Sequence, residues 1–420
     1  MTEDPIPPRL HARTVEIADP GYLPELMPSA GSYAWLRHGD GMVGWGEVVR
    51  HKATTIDEAE EWWRELCAGV VEDCELSRPP AGAGLMAFGS FVFDPANTSA
   101  QSALIVPERV IGRAAGRAWV TTIGTSPNTP WSPTRLPLVP PRSVSFADGE
   151  LSGPEWEAVV AEAVRRINAG GAAGGYDLDK VVLARDLLAE ADADLDPRWL
   201  VARLAADYSR CWTYLVDGLV GATPEMLIRR EGGLATSRVL AGTIRRTGDD
   251  RRDLALAAAL AQSSKDLEEH EYAVASVARA LAPFCSGMHV PESPYVLELP
   301  NVLHLATDVT AVAKDPSSLA LAAALHPSAA VCGTPTEAAR ETIREIEQLD
   351  RERYTGPVGW IDARGDGEWG IALRCGQISA TDPRQIRLFA GCGIVAGSDP
   401  EAELAESNAK LVPMRDALGE

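Results

Sequence analysis

Lysine is scarce in this chain. Of 39 basic residues, 34 are arginines and five are lysines: Lys52, Lys180, Lys265, Lys314 and Lys410. Basic charge as a whole is short too, since 60 Asp and Glu leave a net charge of −21 over 420 residues. A nucleic-acid binder needs a basic face to displace counterions from phosphates, and no Lys/Arg run occurs, so no nucleic-acid partner is expected. Acidity also disfavours an anionic membrane surface. No apolar run approaches the ~20 residues of a membrane span. The start, Met1-Thr-Glu-Asp-Pro-Ile-Pro-Pro, carries no basic and apolar leader. The seven cysteines are scattered and form no CxxC pair. A cytoplasmic protein with reduced thiols and no membrane partner is the expectation.

What remains is ordinary globular material, 45% hydrophobic and 24% charged, long enough for a large core. Length alone suggests roughly two to three domains. Six prolines crowd residues 125–142, at 127, 130, 133, 137, 140 and 141. Such a segment cannot sit inside a helix or sheet, so it reads as an irregular connection and the best boundary. Residues 1–150 form one part on this reading and 151–420 the other. In the first, Leu85 to Asp94 and Arg117 to Ile123 read as strands, and Glu58 to Cys67 as helix.

Beyond the boundary the pattern is regular. Pro154 opens a helix with Trp156, Val159, Val160, Ala163 and Ile167 on one face. Lys180 to Leu188 reads as strand, and Asp196-Pro197 as the cap and first turn of another helix. Short strands are predicted at Trp212–Val216, Met226–Arg230 and Leu234–Leu240. Asp249 to Ala282 is helical with a break near Gln262–Ser264. Asn301 to Val312 is strand, and Leu319–Leu325 and Thr336–Arg351 are helices. Gly356–Asp362 and Glu368–Ile378 are strands joined by a hairpin turn containing Asp-Gly. Arg387–Val395 is a strand and Asp399–Leu418 a closing helix. Strand runs broken by helix pairs predict an α/β or α+β fold with large mixed sheets faced by helices.

Several residues stand where chemistry is feasible. Two helices carry acidic pairs at i, i+3, Asp266 with Glu269 and Glu403 with Glu406, which puts both carboxylates on one face. Opposed, two such faces would make an oxygen-only site for a hard cation such as Mg²⁺. Taken singly each is equally a solvated helix face, and Lys410, four after Glu406, equally a helix-stabilising ion pair. Lys180 opens an apolar strand, where a snorkelling lysine is the plainer reading. An arginine always stays charged, whereas a desolvated lysine can lose its proton. Glu225 follows Pro224 in a turn, His304 lies in an apolar strand, and Arg374 ends one. Arginine suits carboxylate recognition, though a surface ion pair explains Arg374 as well. Leu240-Ala-Gly-Thr243 and Gly391-Cys-Gly-Ile-Val395 are Gly-containing turns where backbone can approach a ligand. Neither is a nucleotide-binding pattern.

Order and context make these segments specific. Lys180-Val-Val-Leu-Ala-Arg185, Gly221-Ala-Thr-Pro-Glu225, Leu240-Ala-Gly-Thr243, Lys265-Asp-Leu-Glu-Glu-His270, Val302-Leu-His304, Leu325-His-Pro327, Tyr354-Thr-Gly-Pro-Val-Gly-Trp360, Gly365-Asp-Gly-Glu368, Ala372-Leu-Arg374, Ala390-Gly-Cys-Gly-Ile-Val395 and Glu406-Ser-Asn-Ala-Lys410 together resemble the chorismate-utilising enzymes. These comprise isochorismate synthase, salicylate synthase and the large subunits of anthranilate and aminodeoxychorismate synthase. The resemblance covers about residues 154–418. Residues 1–150 match more loosely, mainly through Phe88 to Asp94.

The resemblance implies one large unit of two mixed or antiparallel sheets with helices outside, like the anthranilate synthase large subunit. Residues 1–150 would be the N-terminal part of that fold and 151–420 the catalytic core. Mg²⁺ would bridge protein and the ring carboxylate of chorismate, held by Glu269 and Glu406, with Asp266 and Glu403 behind them. Tyr354, Arg374 and Lys410 would address substrate carboxylates. Gly242, Thr243 and Gly393 would supply backbone or hydroxyl contacts, and His304 would line the ring pocket. Water-using members carry Lys where this chain has Lys180, and ammonia-using ones typically carry Gln. Lys180 would then deprotonate the water that attacks C2, and Glu225 would protonate the departing C4 hydroxyl. Isochorismate synthase is the closest match, with no obligatory glutaminase subunit, feeding menaquinone or siderophore biosynthesis. Salicylate synthase, which goes on to eliminate pyruvate, is the alternative, and an ammonia-using synthase subunit a more distant one. Ala241 departs from aminodeoxychorismate synthases, and the tryptophan-feedback motif of anthranilate synthases is absent. Cys332, Ser407 and Ile244 depart from the family's usual residues and bear on pocket shape.

Overall fold

The structure is a computed structural model that describes residues 9–126, 132–170, 177–300 and 302–419; the side chains of Lys265 and Glu269 lie outside the described residues. Among the described residues the strands build two sheets, one of thirteen strands and one of ten, and several central strands are buried at every position. The expected helices form as α1 (Ile56–Gly69), α2 (Gly153–Ala169), α3 (Pro197–Asp207), α4 (Asp250–Gln262), α5 (Ser264–Leu281), α6 (Ser318–Leu325), α7 (Thr336–Ile346) and α8 (Pro400–Leu418). Local chemistry sets several of their starts. Ser152 and Glu155 form a reciprocal capping box on α2. The Asp196 and Asp399 carboxylates accept from the first-turn N–H groups of α3 and α8, which would otherwise lack partners. No helix among the described residues is long and apolar enough to cross a membrane.

Both sheets combine strands from the first 150 residues with strands from later in the chain. In the larger sheet Ser32–Arg37 pairs with Trp212–Val216, which pairs with Leu219–Thr223. In the smaller one Met86–Ser90 pairs with Pro357–Asp362. The sheets meet across an aromatic layer that includes Trp35, Phe88, Tyr214, Trp360 and Phe389. Helices α3 and α8 cover the larger sheet's outer face. Helices α1, α5 and α6 cover the smaller sheet. Helix α2 is pinned by Trp156, which is fully buried and donates its Nε1–H to the Ala184 carbonyl at 3.0 Å.

Three expectations change. The strand predicted over Glu368–Ile378 is two strands: Gly367–Ile371 in the smaller sheet and Cys375–Ile378 in the larger. The chain changes sheet at Ala372-Leu-Arg374, which local apolarity does not reveal. The strand predicted to end at Leu240 runs over Leu234–Arg245, with a register shift at Gly242. Helix α7 stops at Ile346 rather than Arg351. Gln348 and Glu352 take positive φ, and Arg351 leaves the helical path to donate to Glu347 at 2.6 Å and to the Val182 carbonyl at 2.6 Å.

Candidate active site

Two sheet-to-sheet crossings frame the site. Thr223-Pro-Glu-Met226 carries the chain from the larger sheet to the smaller, and Ile371 to Cys375 carries it back. The crossings are stitched side by side: Ile371 donates its N–H to the Glu225 carbonyl at 3.1 Å, and Ala222 to the Arg374 carbonyl at 3.2 Å. Glu225 and Arg374 are therefore held between the sheets, 7% and 8% exposed. Burial pushes the Glu225 carboxyl up to about 8, against the pull of Lys180, Lys410 and Arg374. It is thus mostly protonated at neutral pH. Arg374 has a left-handed backbone, with φ of 50°. Burial lowers its pKa, and it forms no salt bridge among the described residues. A buried guanidinium in that position is stabilised by an anionic ligand.

Lys180 is the first residue of the strand Lys180–Ala191, and that strand pairs with Gln385–Val395 so that Val182 lies opposite Gly393. Gly393 makes room for the lysine, since a Cβ there would sit 2.7 Å from Lys180 Cε and 3.2 Å from Nζ. Arg351 and Glu347 hold this strand from behind. Glu347 accepts from the Ala184 N–H at 2.8 Å, and Arg351 spans the Val182 and Val331 carbonyls. The chain departs from regular pairing at Gly242, whose φ is 79°, and this brings the strand against α5, with Asp266 Cβ 3.3 Å from where a Gly242 Cβ would lie. Next along, Thr243 Oγ1 and His304 Nδ1 are hydrogen-bonded at 2.9 Å. Burial, with Arg374 and Lys410 nearby, drives the His304 pKa well below 6.5, so the ring is neutral. Its buried Nε2 has no hydrogen-bond partner among the described residues. Tyr354 is buried and stacked on Phe389, rings 5.2 Å apart and 9° from parallel.

On α8, Glu403, Glu406 and Lys410 follow at i, i+3 and i+7 and share a face. Lys410 Nζ donates to the Gly391 carbonyl and to Glu406, each at 2.8 Å. Glu403 is half-buried, and its pKa is raised by burial and by the charge of Glu406, against the hydrogen bond from Ser398. Cys392 Sγ and ligand oxygens of Glu403 and Glu406 all lie within 4.8 Å of one another. Burial pushes the Cys392 thiol up to about 12, so it stays protonated and offers no thiolate. The hard oxygen donors are the carboxylates, of which Glu406 is paired with Lys410; two carboxylates this close together suit a hard cation.

These residues line one cavity of about 420 Å³, a size suited to a small ligand. Lys180, Glu225, Gly242, Thr243, Asp266, His304, Tyr354, Arg374, Gly393, Glu403, Glu406 and Lys410 all face it. The two acidic helices therefore present carboxylates to the same space. Glu269, the expected ligand on α5, has its side chain outside the described residues. Sequence reasoning missed Phe389, Ser398 and the Arg351–Glu347 pair. An apolar strand residue, an N-cap neighbour and an i, i+4 ion pair carry no local sign of a site.

Comparison with known proteins fits this geometry. The family model described as chorismate binding enzyme matches residues 33–419. The chain belongs to that family. Isochorismate synthase DhbC of Bacillus subtilis (strain 168) is 42% identical over 255 residues, 58% of this chain and 63% of that protein. Its matched stretch is thus under two thirds of the relative's length. The crystal structure of DhbC from Bacillus anthracis is 33% identical, with a TM-score of 0.77, and covers 95% of this chain and 99% of that one. MenF, the menaquinone-specific isochorismate synthase of Escherichia coli, has a TM-score of 0.78 at 24% identity, covering 97% and 94%, which speaks for the fold alone.

Proposed function

We propose that this member of the family is a Mg²⁺-dependent isochorismate synthase, an isomerase that adds water at C2 of chorismate and expels the C4 hydroxyl. The observation that carries the reading is Glu225, a buried carboxyl with a pKa of about 8 lining the same cavity as Lys180. A carboxyl poised to be protonated at neutral pH is suited to act as a general acid, and the lysine lining the same cavity is the complementary base. Lys180 takes a proton from water as its oxygen bonds C2. Glu225 gives its proton to the C4 oxygen as that C–O bond breaks. Arg374, Tyr354 and Lys410 address the substrate's carboxylates, Gly242, Thr243 and Gly393 contact it by backbone or hydroxyl, and neutral His304 lines the ring pocket.

The carboxylates of Glu269 and Glu406, backed by Asp266 and Glu403, would hold Mg²⁺. Bound there, it supplies positive charge that anchors the ring carboxylate. The product would feed menaquinone or siderophore synthesis, and the chain would act without a glutaminase subunit.

Incubating the purified chain with chorismate and Mg²⁺ tests the reading. Isochorismate without accompanying pyruvate is expected. Prompt pyruvate and fluorescent salicylate would make it a salicylate synthase. Turnover only with an ammonia source would make it an ammonia-using synthase. Lys180→Ala and Glu225→Gln should each cut kcat by roughly 10²- to 10⁴-fold. Near-normal turnover in both would remove the acid–base assignment.

A further inference from the structure

One forward turnover leaves the protein in a different protonation state from the one in which it began. Lys180 has gained the proton of the attacking water, and Glu225 has lost one to the departing hydroxyl, which leaves as water. Running the reaction backwards restores both, but net conversion requires each group to exchange a proton with solvent. Glu225 is 7% exposed, so its route is not the open surface.

The cavities around the two residues supply routes. Glu225 lines a second cavity, of about 200 Å³, besides the substrate cavity. Its inner wall includes buried Leu227 and Ser237, and its outer wall half-buried Ser276 on α5 and Ala324 on α6. It thus leads from a buried carboxyl towards the surface between two helices. It has room for several waters at ~30 Å³ each. Ser237, Ser276 and Ser328 give it hydroxyls, and the Ser328 Oγ is buried with no hydrogen-bond partner among the described residues. Arg238, the charge on this side, is paired with Asp308 at 2.7 Å. Lys180 likewise lines a further cavity, of about 440 Å³, with Asp179 and Glu268 in its wall. Each proton-transfer residue stands between the substrate cavity and a cavity of its own.

We propose that the serine-lined cavity behind Glu225 holds a water chain that returns a proton to this carboxyl between turnovers, with Ser328 positioning the chain. The proposal rests on Glu225 being the acid of the reaction. Resetting is then a step of its own, separate from the chemistry and from substrate entry.

Ala324→Leu and Ser276→Leu narrow the cavity, and Ser328→Ala removes the orphaned hydroxyl; none of the three residues lines the substrate cavity. For each variant, one turnover with enzyme in excess is compared with steady-state turnover and with tracer exchange between chorismate and isochorismate at equilibrium. The expected result is a first turnover within about twofold of the parent and a steady-state kcat lower by about tenfold or more. Exchange stays near normal, because forward and reverse events restore each other's protons. Unchanged steady-state turnover in all three variants overturns the proposal, since Glu225 then resets through the substrate cavity. Equal losses in the first and later turnovers also overturn it, since the cavity then supports the chemistry or the fold. Glu225→Gln keeps the two readings apart: a near-normal first turnover in that variant removes the acid assignment itself, whatever the cavity variants do.

Discussion

At Glu225, burial and function pull in one direction. Its carboxyl keeps its proton up to about pH 8 when folded but loses it near 4.5 when unfolded. Between those values the folded state binds more protons, so stability falls as pH rises through this window. Glu225→Gln removes the dependence. Urea titrations at pH 5 and pH 8 should show the parent losing up to a few kcal/mol relative to the variant. With Glu225 as the proposed acid, the same value places the fall of kcat on the alkaline side, near pH 8. Gly393 offers a second check. A methyl group there meets the end of the Lys180 side chain at 2.7 Å, a flexible neighbour that can move. Gly393→Ala should keep its thermal unfolding within about 1 kcal/mol of the parent. Its kcat should fall by about tenfold or more, because the proposed base is displaced.

Among the elements, the decisive features are joints rather than strands or helices. Glu225 and Arg374 are held together because two crossings between sheets lie side by side, joined by backbone hydrogen bonds. Helix α2 stabilises this arrangement from outside: Trp156 packs with Val181 and Leu183 of the strand that Lys180 opens. Trp156→Ala should destabilise the chain by about 3–5 kcal/mol, read as a lower urea midpoint. Its first effect on activity should follow from loosening of the Lys180 strand. The sequence makes α2 legible through its apolar face and capping box. It does not show which strand that face will cover.

For the whole molecule, a body of net charge −21 would receive the proposed anionic substrate at a cavity that also gathers carboxylates. Arg374 and Lys410 supply local positive charge there, and a divalent cation would supply more. Mg²⁺ bound by carboxylates from α5 and α8 would favour the folded state by mass action. Adding millimolar Mg²⁺ should raise Tm, and a chelator should abolish turnover while leaving the far-ultraviolet circular dichroism intact. An unchanged Tm together with full activity in chelator would remove the metal from the mechanism.

The sequence by itself determined where the helices lie, the motif order and the candidate polar residues that line the cavity. Those features are local: 3.6-residue periodicity, caps, and short motifs whose residue types match one chemistry. Tertiary structure alone decided three things. It split Glu368–Ile378 between two sheets, because a strand's period is the same whichever sheet it joins. It ended α7 early, where Arg351 reaches the Val182 and Val331 carbonyls, partners it meets only after the chain has folded back. And it raised Glu225 to about 8, because that shift comes from desolvation by segments far away in the chain. The five lysines illustrate the division. Their scarcity is read from composition, but that Lys180 and Lys410 share one cavity with Glu225 follows only from how the two sheets close around it.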